Sequence, residues 1–431
     1  MIFKNITVMC ADGSIIPDRY VRVSGSRIDF VCGENEAPNG DFGRVIDGKG
    51  KLLMPGMVNA HTHVPMTLLR GYGEDMALAE WLNTRIFPFE DKLTADDVYW
   101  GSLLGMAEMM STGTTSITDM YNFCGDIARA AAESGIKANI SRPVLCFDPS
   151  LQLTDLPAYN EVNELVASVH GADDGRIIVD ASVHAEYTSR PEIVEQTAEM
   201  AKSMGLRMHI HLSETAEEHR ECIGRWGKTP ARVMFDAGLL DLPVTAAHCV
   251  WLTDSDMDIL AAHSVNVTHC PQSNMKLAGG IAMIEKMRAK GINVALGTDS
   301  AASNNNLNML EEARAAALLA KGMSLNPAAV PAGDAIFMLT RAGALSQGRI
   351  DCGDIVPGYR ADFTVINMDT PCMTPCHNAA ANVLYSAGSS EILMTVIDGR
   401  VVYENGAFTT IDIERAKFEV NSRAQRIAAE V

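Results

Sequence analysis

The chain has 431 residues, 47% hydrophobic and 21% charged, enough to bury one large α/β domain with an accessory unit. A formal net charge of −19 without a basic stripe excludes a polyanionic partner such as nucleic acid and points to a small, weakly charged ligand. No apolar run approaches the roughly 18 residues that cross a bilayer, Met1-Ile-Phe-Lys-Asn5 lacks the apolar core of a secretion signal, and ten cysteines without a CxxC pair do not make a disulfide scaffold, so a reducing cytoplasmic setting without membrane contact is expected.

Residues 1–54 read as short strands split by turn signals at Ala11-Asp-Gly13, Ser24-Gly25, Asn39-Gly40 and Asp47-Gly48. The middle of the chain changes character. Eight short apolar runs, at 57–62, 116–120, 138–146, 176–184, 207–212, 244–250, 265–270 and 293–299, alternate with helical patterns. The helix after the fourth run carries Ser189 as N-cap with Glu192 completing a capping box, Pro191 in its first turn and Gly205 as its stop. Thr94 with Asp97, and Thr253 with Asp256, mark two more helix starts. Eight strand-then-helix units predict a distorted (β/α)8 TIM barrel over 55–353; a doubly wound sheet is the competing arrangement. From residue 354 short strands return, at Asp362-Phe-Thr-Val-Ile366 and Met394-Thr-Val-Ile-Asp398, and a helix closes the chain from Asp412. Segments 1–54 and 354–431 are each too short to close a core, so they are expected to join as one small β-sandwich domain with that closing helix.

Polar residues recur at the ends of these strands. His61 and His63 are two apart on the first strand and therefore share a face, directed into the barrel at its C-terminal mouth. The fifth strand carries His209 and His211; His211 is nearer the mouth and is the better ligand, with His209 packed behind it. The sixth strand ends in Ala246-Ala-His248-Cys249 and the eighth in Gly297-Thr-Asp299. Three imidazoles and one carboxylate would bind a divalent metal and leave a position for water, whose pKa falls from about 15.7 towards 7. Glu214, just beyond the fifth strand, can reach back over the site as an acid or base, although Ser213-Glu-Thr-Ala-Glu-Glu218 also reads as a helix start. Asp299 can take a proton from the water while ligating. His248 reads as a ligand or as a hydrogen-bond partner of that water. Cys249 and Cys270 read as buried thiols.

The segments Met54-Pro-Gly-Met-Val-Asn-Ala-His-Thr-His63, His209-Ile-His-Leu-Ser-Glu214, Ala246-Ala-His-Cys249, Cys270-Pro-Gln-Ser-Asn274 and Gly297-Thr-Asp299 together resemble the amidohydrolase superfamily. Within it they look most like the methylthioadenosine/S-adenosylhomocysteine deaminase branch. The resemblance implies His61, His63, His211 and Asp299 as metal ligands, Glu214 as the acid for the purine ring nitrogen, and His248 as the group orienting the water. It further implies His184 as a substrate contact and Glu90 as the carboxylate that grips the ribose hydroxyls; Trp81 and Arg142 are added as candidate substrate contacts, Arg142 in its own or a neighbouring subunit's site. Two-metal relatives carry a carboxylated lysine on the fourth strand, and 176–184 contains no lysine, so one ion is expected: zinc, with iron or manganese compatible.

The implied reaction converts an adenosine-type nucleoside (methylthioadenosine, adenosine, 5′-deoxyadenosine or S-adenosylhomocysteine) to its inosine form plus ammonia, in a homo-oligomeric enzyme. One departure is that no lysine or arginine stands between Arg142 and Arg176, where branch members that hold a homocysteine carboxylate tend to present arginine. That disfavours S-adenosylhomocysteine. The rivals are deamination or dechlorination of another N-heterocycle (guanine, pterin, triazine) on the same site, and an inactive scaffold that keeps the barrel.

Overall fold

Strands from both chain ends form one nine-stranded sheet in the computed structural model, which describes residues 1–38 and 40–431. The N-terminal strands are β1 Ile2–Met9, β2 Ile15–Ser24, β3 Arg27–Cys32, β4 Val45–Asp47 and β5 Lys51–Pro55. The turn expected at Asn39-Gly40 involves Asn39, which lies outside the described residues. Eight parallel strands follow: β6 Met57–Thr62, β7 Thr114–Met120, β8 Lys137–Val144, β9 Ile177–Val183, β10 Met208–Leu212, β11 Val244–His248, β12 Asn266–His269 and β13 Val294–Leu296. The chain then returns through β14 Phe363–Asn367, β15 Ile392–Ile397, β16 Arg400–Glu404 and β17 Ala407–Phe408, and ends in helix Ile413–Glu430, whose N-cap Asp412 accepts from the Arg415 amide.

The eight parallel strands pair in sequence order and are the predicted barrel. Closure runs from the last strand to the first: the Asp299 amide donates to the His61 carbonyl at 3.1 Å, and Thr62 bridges Asp299 in parallel. Gly297 makes this approach possible, because a Cβ there would lie 2.8 Å from the His61 oxygen. At the opposite end the Ser346–Arg349 segment plugs the barrel. Gln347 bonds Ser116 and Thr118, and the Ser346 carbonyl accepts from Thr245 and Arg207. With that end sealed, the strand ends at the other face hold the open site.

Helix caps explain where several barrel helices begin. Thr94 accepts from the Asp97 amide and Thr253 from the Asp256 amide, with both capping boxes formed as predicted. Ser189 does not cap its helix. The helix runs Pro191–Met204 with Arg190 as N-cap and no side-chain cap, and the Ser189 hydroxyl turns to the Val144 carbonyl. Pro191 occupies the first helical position, where its missing N–H costs nothing, so the helix starts one residue later. Gly205 ends it with φ +68°.

In the terminal sheet, β5 pairs with β1 on one side and antiparallel to β14 on the other, Leu53 opposite Val365, which joins the two chain ends. Alternation along β5 divides the cores: Leu53 packs with Phe3, Val21, Phe363 and Val396, while Leu52 and Met54 pack with the barrel helices. Phe3 and Phe363 meet edge to face at 6.0 Å. A buried cation links this sheet to the barrel. Lys137, at the start of β8, reaches Asp362 at 2.5 Å and Asp398 at 2.7 Å, with its side chain only 3% exposed. Lys137→Met leaves the buried Asp362 and the partly buried Asp398 without their cation, and the expected loss is about 3–5 kcal/mol of unfolding free energy in a denaturant titration. A loss below about 1 kcal/mol would show that solvent, or Arg360 at 3.5 Å from Asp398, replaces it.

Among the described residues no helix is long and apolar enough to cross a membrane, and all ten cysteines are free, Cys249 and Cys270 buried.

Candidate active site

The strands deliver their polar ends to one cavity of about 770 Å³, its open mouth included. Its lining brings together His63, Glu90, His184, His211, Glu214, His248 and Asp299, with Trp81 on one wall; His61 lies fully buried behind them. Several turns that aim these residues are strained. Ser213, His248 and Asp299 all have left-handed backbones, φ +50°, +69° and +59°, a conformation that non-glycine residues hold mainly where surrounding structure imposes it.

Four imidazoles share one orientation. The Nδ1 of His63 is bonded to the Met120 carbonyl, that of His211 to the His184 carbonyl at 2.8 Å, and that of His248 to Asn274 Oδ1 at 2.8 Å. His61 Nδ1 meets His209 Nε2 at 3.0 Å, so His209 supports a neighbour from behind. With Nδ1 donating, each ring in its neutral form keeps an Nε2 lone pair for the centre they share. Burial favours the neutral form at His61, pushed down to about 4, and at His211, held well below the usual imidazole range. At His63 burial is outweighed by the Asp299 carboxylate, and the ring is raised to about 9. Behind them burial pushes His184 down to about 3 and His209 well below its usual range.

Asp299 completes the cluster. Its Oδ2 accepts from Ser273 at 2.5 Å and Ser303 at 2.8 Å, leaving Oδ1 to face His61 Nε2 at 3.4 Å and His63 Nε2 at 3.3 Å. Burial alone would raise this carboxyl, but the His61 and His63 imidazoles hold it well below the carboxylate range.

The donor set fits a divalent ion. Ligands at 2.0–2.1 Å from a tetrahedral zinc stand roughly 3.4 Å apart; His63 Nε2 and His211 Nε2 are 3.2 Å apart. Candidate ligand atoms of His61, His63 and His211, and those of His61, His248 and Asp299, lie within 4.8 Å of one another. His61 Nε2 and His248 Nε2 are buried with no hydrogen-bond partner, an arrangement that proteins avoid unless another group satisfies the atoms.

Glu214 sits outside the helix that its sequence context suggested. That helix runs Ala216–Trp226, capped by Thr215, and Glu218 accepts from the Ser213 and Glu214 amides to tighten the turn. The freed Glu214 side chain enters the cavity, Oε1 3.9 Å from His248 Nε2. Burial, reinforced by Asp299, raises its pKa.

Glu90 and Trp81 come from one irregular segment: a turn of α-helix at Leu78–Trp81, a π-turn at Leu82–Ile86 and a further α turn at Phe87–Glu90. Pro88 offers no amide to the preceding turn, which accounts for the widening there. Burial raises the Glu90 pKa, and the Tyr121 hydroxyl lies near enough to oppose the rise without a full hydrogen bond. Trp81 is 5% exposed and also packs in the core beneath.

Arg142 does not reach the cavity. Its guanidinium is held by Glu161 from helix Pro157–Val169 and by the Pro143 carbonyl, since an available carboxylate outcompetes an apolar wall. Sequence reasoning passed over Asn274, Ser273, Ser303 and Tyr121. The available signal was position, because Tyr121 directly follows β7 and Ser273 and Asn274 lie just past β12 at the same rim.

The Amidohydrolase family model matches residues 52–402. The chain belongs to the amidohydrolase family. Two amidohydrolase relatives are the 5-methylthioadenosine/S-adenosylhomocysteine deaminases of Desulforamulus reducens, 44% identical over 432 residues and 99% of each chain, and of Dictyoglomus thermophilum, 44% identical over 380 residues and 88% of each chain. Among solved structures, this amidohydrolase superposes on an adenosine deaminase from Xanthomonas campestris with bound zinc at a TM-score of 0.93 and 29% identity, covering 99% of this chain and 98% of that one. An atrazine chlorohydrolase from Arthrobacter aurescens complexed with zinc gives 0.91 at 22% identity over 98% of this chain and 99% of that one, a likeness of amidohydrolase fold alone.

Proposed function

We propose that this amidohydrolase deaminates the adenine ring of an adenosine-type nucleoside, giving the inosine form and ammonia. The observation that carries the reading is one cavity with converging imidazoles and Asp299 at its floor, Glu214 with its raised pKa beside them, and Glu90 from the irregular segment in the same lining. His61, His63, His211 and Asp299 are the residues that would hold a divalent ion, zinc by donor type. When bound, such an ion lowers the pKa of a water at the reacting carbon.

The protein's own groups divide the remaining work. Glu214, whose pKa is raised by burial, is placed to deliver a proton to a ring nitrogen as the adjacent carbon becomes tetrahedral. His248, anchored through Nδ1 by Asn274, presents Nε2 to the attacking oxygen. Asp299 has one oxygen fixed by two serines, so only Oδ1 is available to ligate and to receive a proton. His184 and Trp81 contact the ring. The Glu90 carboxylate can accept from both hydroxyls of a vicinal diol.

A nucleoside panel followed by the ultraviolet change from adenine to hypoxanthine tests the reaction. Glu90→Ala is expected to raise KM for adenosine derivatives by about 10- to 100-fold, with kcat changed far less. A free heterocyclic base has no ribose. Kinetics indifferent to Glu90→Ala would therefore move the assignment to such a base.

A further inference from the structure

The open end of the cavity is apolar and carries no cation. Leu78, Leu82, Phe87, Leu145 and Tyr187 line it and are each partly exposed, which sets them towards the mouth, whereas His211 and His248 are buried at the floor. The charged side chains of the lining, histidines apart, are Glu90, Glu214 and Asp299; among the described residues no lysine or arginine lines it. Of the basic side chains near these segments, Arg85 is exposed and outside the lining, and three others are paired elsewhere. Arg70 pairs with Glu108, Arg142 with Glu161, and Lys276 with Glu74 at 2.8 Å.

From this distribution we infer that the enzyme selects adenosines whose 5′ substituent is uncharged, such as a methylthio group or hydrogen, and discriminates against those that end in a carboxylate. The inference rests on the proposed reaction, which commits the adenine to the histidine floor and the ribose to Glu90. The 5′ position then points at the leucines and Phe87. A methylthio group gains apolar contact there. A carboxylate loses water, finds no charge-assisted partner and feels the like charge of Glu90, so it is rejected by what the wall lacks. A homocysteine substituent fares poorly although its ammonium group could meet Glu90, because its carboxylate stays unpaired.

The test uses the metal-replete, full-length enzyme and a pair matched in size: 5′-S-(2-carbamoylethyl)thioadenosine and its 2-carboxyethyl counterpart, with methylthioadenosine and S-adenosylhomocysteine alongside. The carboxylate member is expected to show kcat/KM at least about tenfold below the amide, and S-adenosylhomocysteine at least about tenfold below methylthioadenosine. Carboxylate and amide used equally well, or the carboxylate preferred, overturns the inference and leaves the deaminase reading standing. If no adenosine in the panel is turned over, the reading itself fails and the inference with it.

Discussion

Stripping the divalent ion with a chelator is expected to bring turnover to background, and zinc, iron or manganese added back should restore it. Asp299→Ala should abolish activity without such rescue at stoichiometric metal. Asp299 is the anionic donor of the cluster, its Oδ1 within 3.4 Å of both His61 and His63, so its loss leaves neutral imidazoles to bind a dication. Loss of a supporting hydrogen bond behind a ligand costs about 10–100-fold in affinity or activity, and loss of the ligand itself should cost more. Elemental analysis supplies the check. Metal content near one ion per chain in Asp299→Ala would remove Asp299 from the ligand set. The fold should survive in both cases, because the barrel is held by backbone pairing and by apolar cores that neither change removes.

The second large effect is expected from Glu214→Gln, a fall in kcat of about 10²- to 10⁴-fold with metal content unchanged. Glutamine keeps the shape and can still donate a hydrogen bond to a ring nitrogen, but it cannot transfer a proton. Burial and the neighbouring Asp299 keep the native carboxyl protonated to higher pH than usual, which suits a donor. KM should move little, since the interaction develops only as the ring carbon becomes tetrahedral. A kcat within about tenfold of the parent would assign the proton transfer elsewhere, with His248 next in line at 3.9 Å.

Much of the architecture is legible from pattern alone. Runs expected at 57–62, 116–120 and 207–212 correspond to Met57–Thr62, Thr114–Met120 and Met208–Leu212. Each is a buried parallel strand whose turn signals and flanking helices are local. The pairing of His61 with His63 on one face, and the ranking of His211 above His209, follow from the two-residue period, and the structure brings His61, His63 and His211 together. What a two-residue period cannot say is which distant group a polar side chain meets. Arg142 goes to Glu161 on a neighbouring helix, and nothing in the strand that carries it specifies that partner. The serines that hold Asp299 come from a short helix, Pro271–Lys276, and from the loop beyond Asp299 itself, and Ser189 lost its expected cap to a proline that set the helix start. Tertiary competition decided each of these.

The joining of β5 to β14 has a consequence for how the molecule is made. Leu53 leaves the ribosome early, yet its strand neighbour Val365 emerges only after the whole barrel has been synthesised, a wait of roughly 15–60 s at ordinary elongation rates. For that interval one edge of β5 lacks its mate, and Leu53 and Phe3 lack the Phe363 layer that later covers them. The nascent N-terminal strands therefore carry an open edge and an uncovered apolar layer until the last strands are translated and latch them.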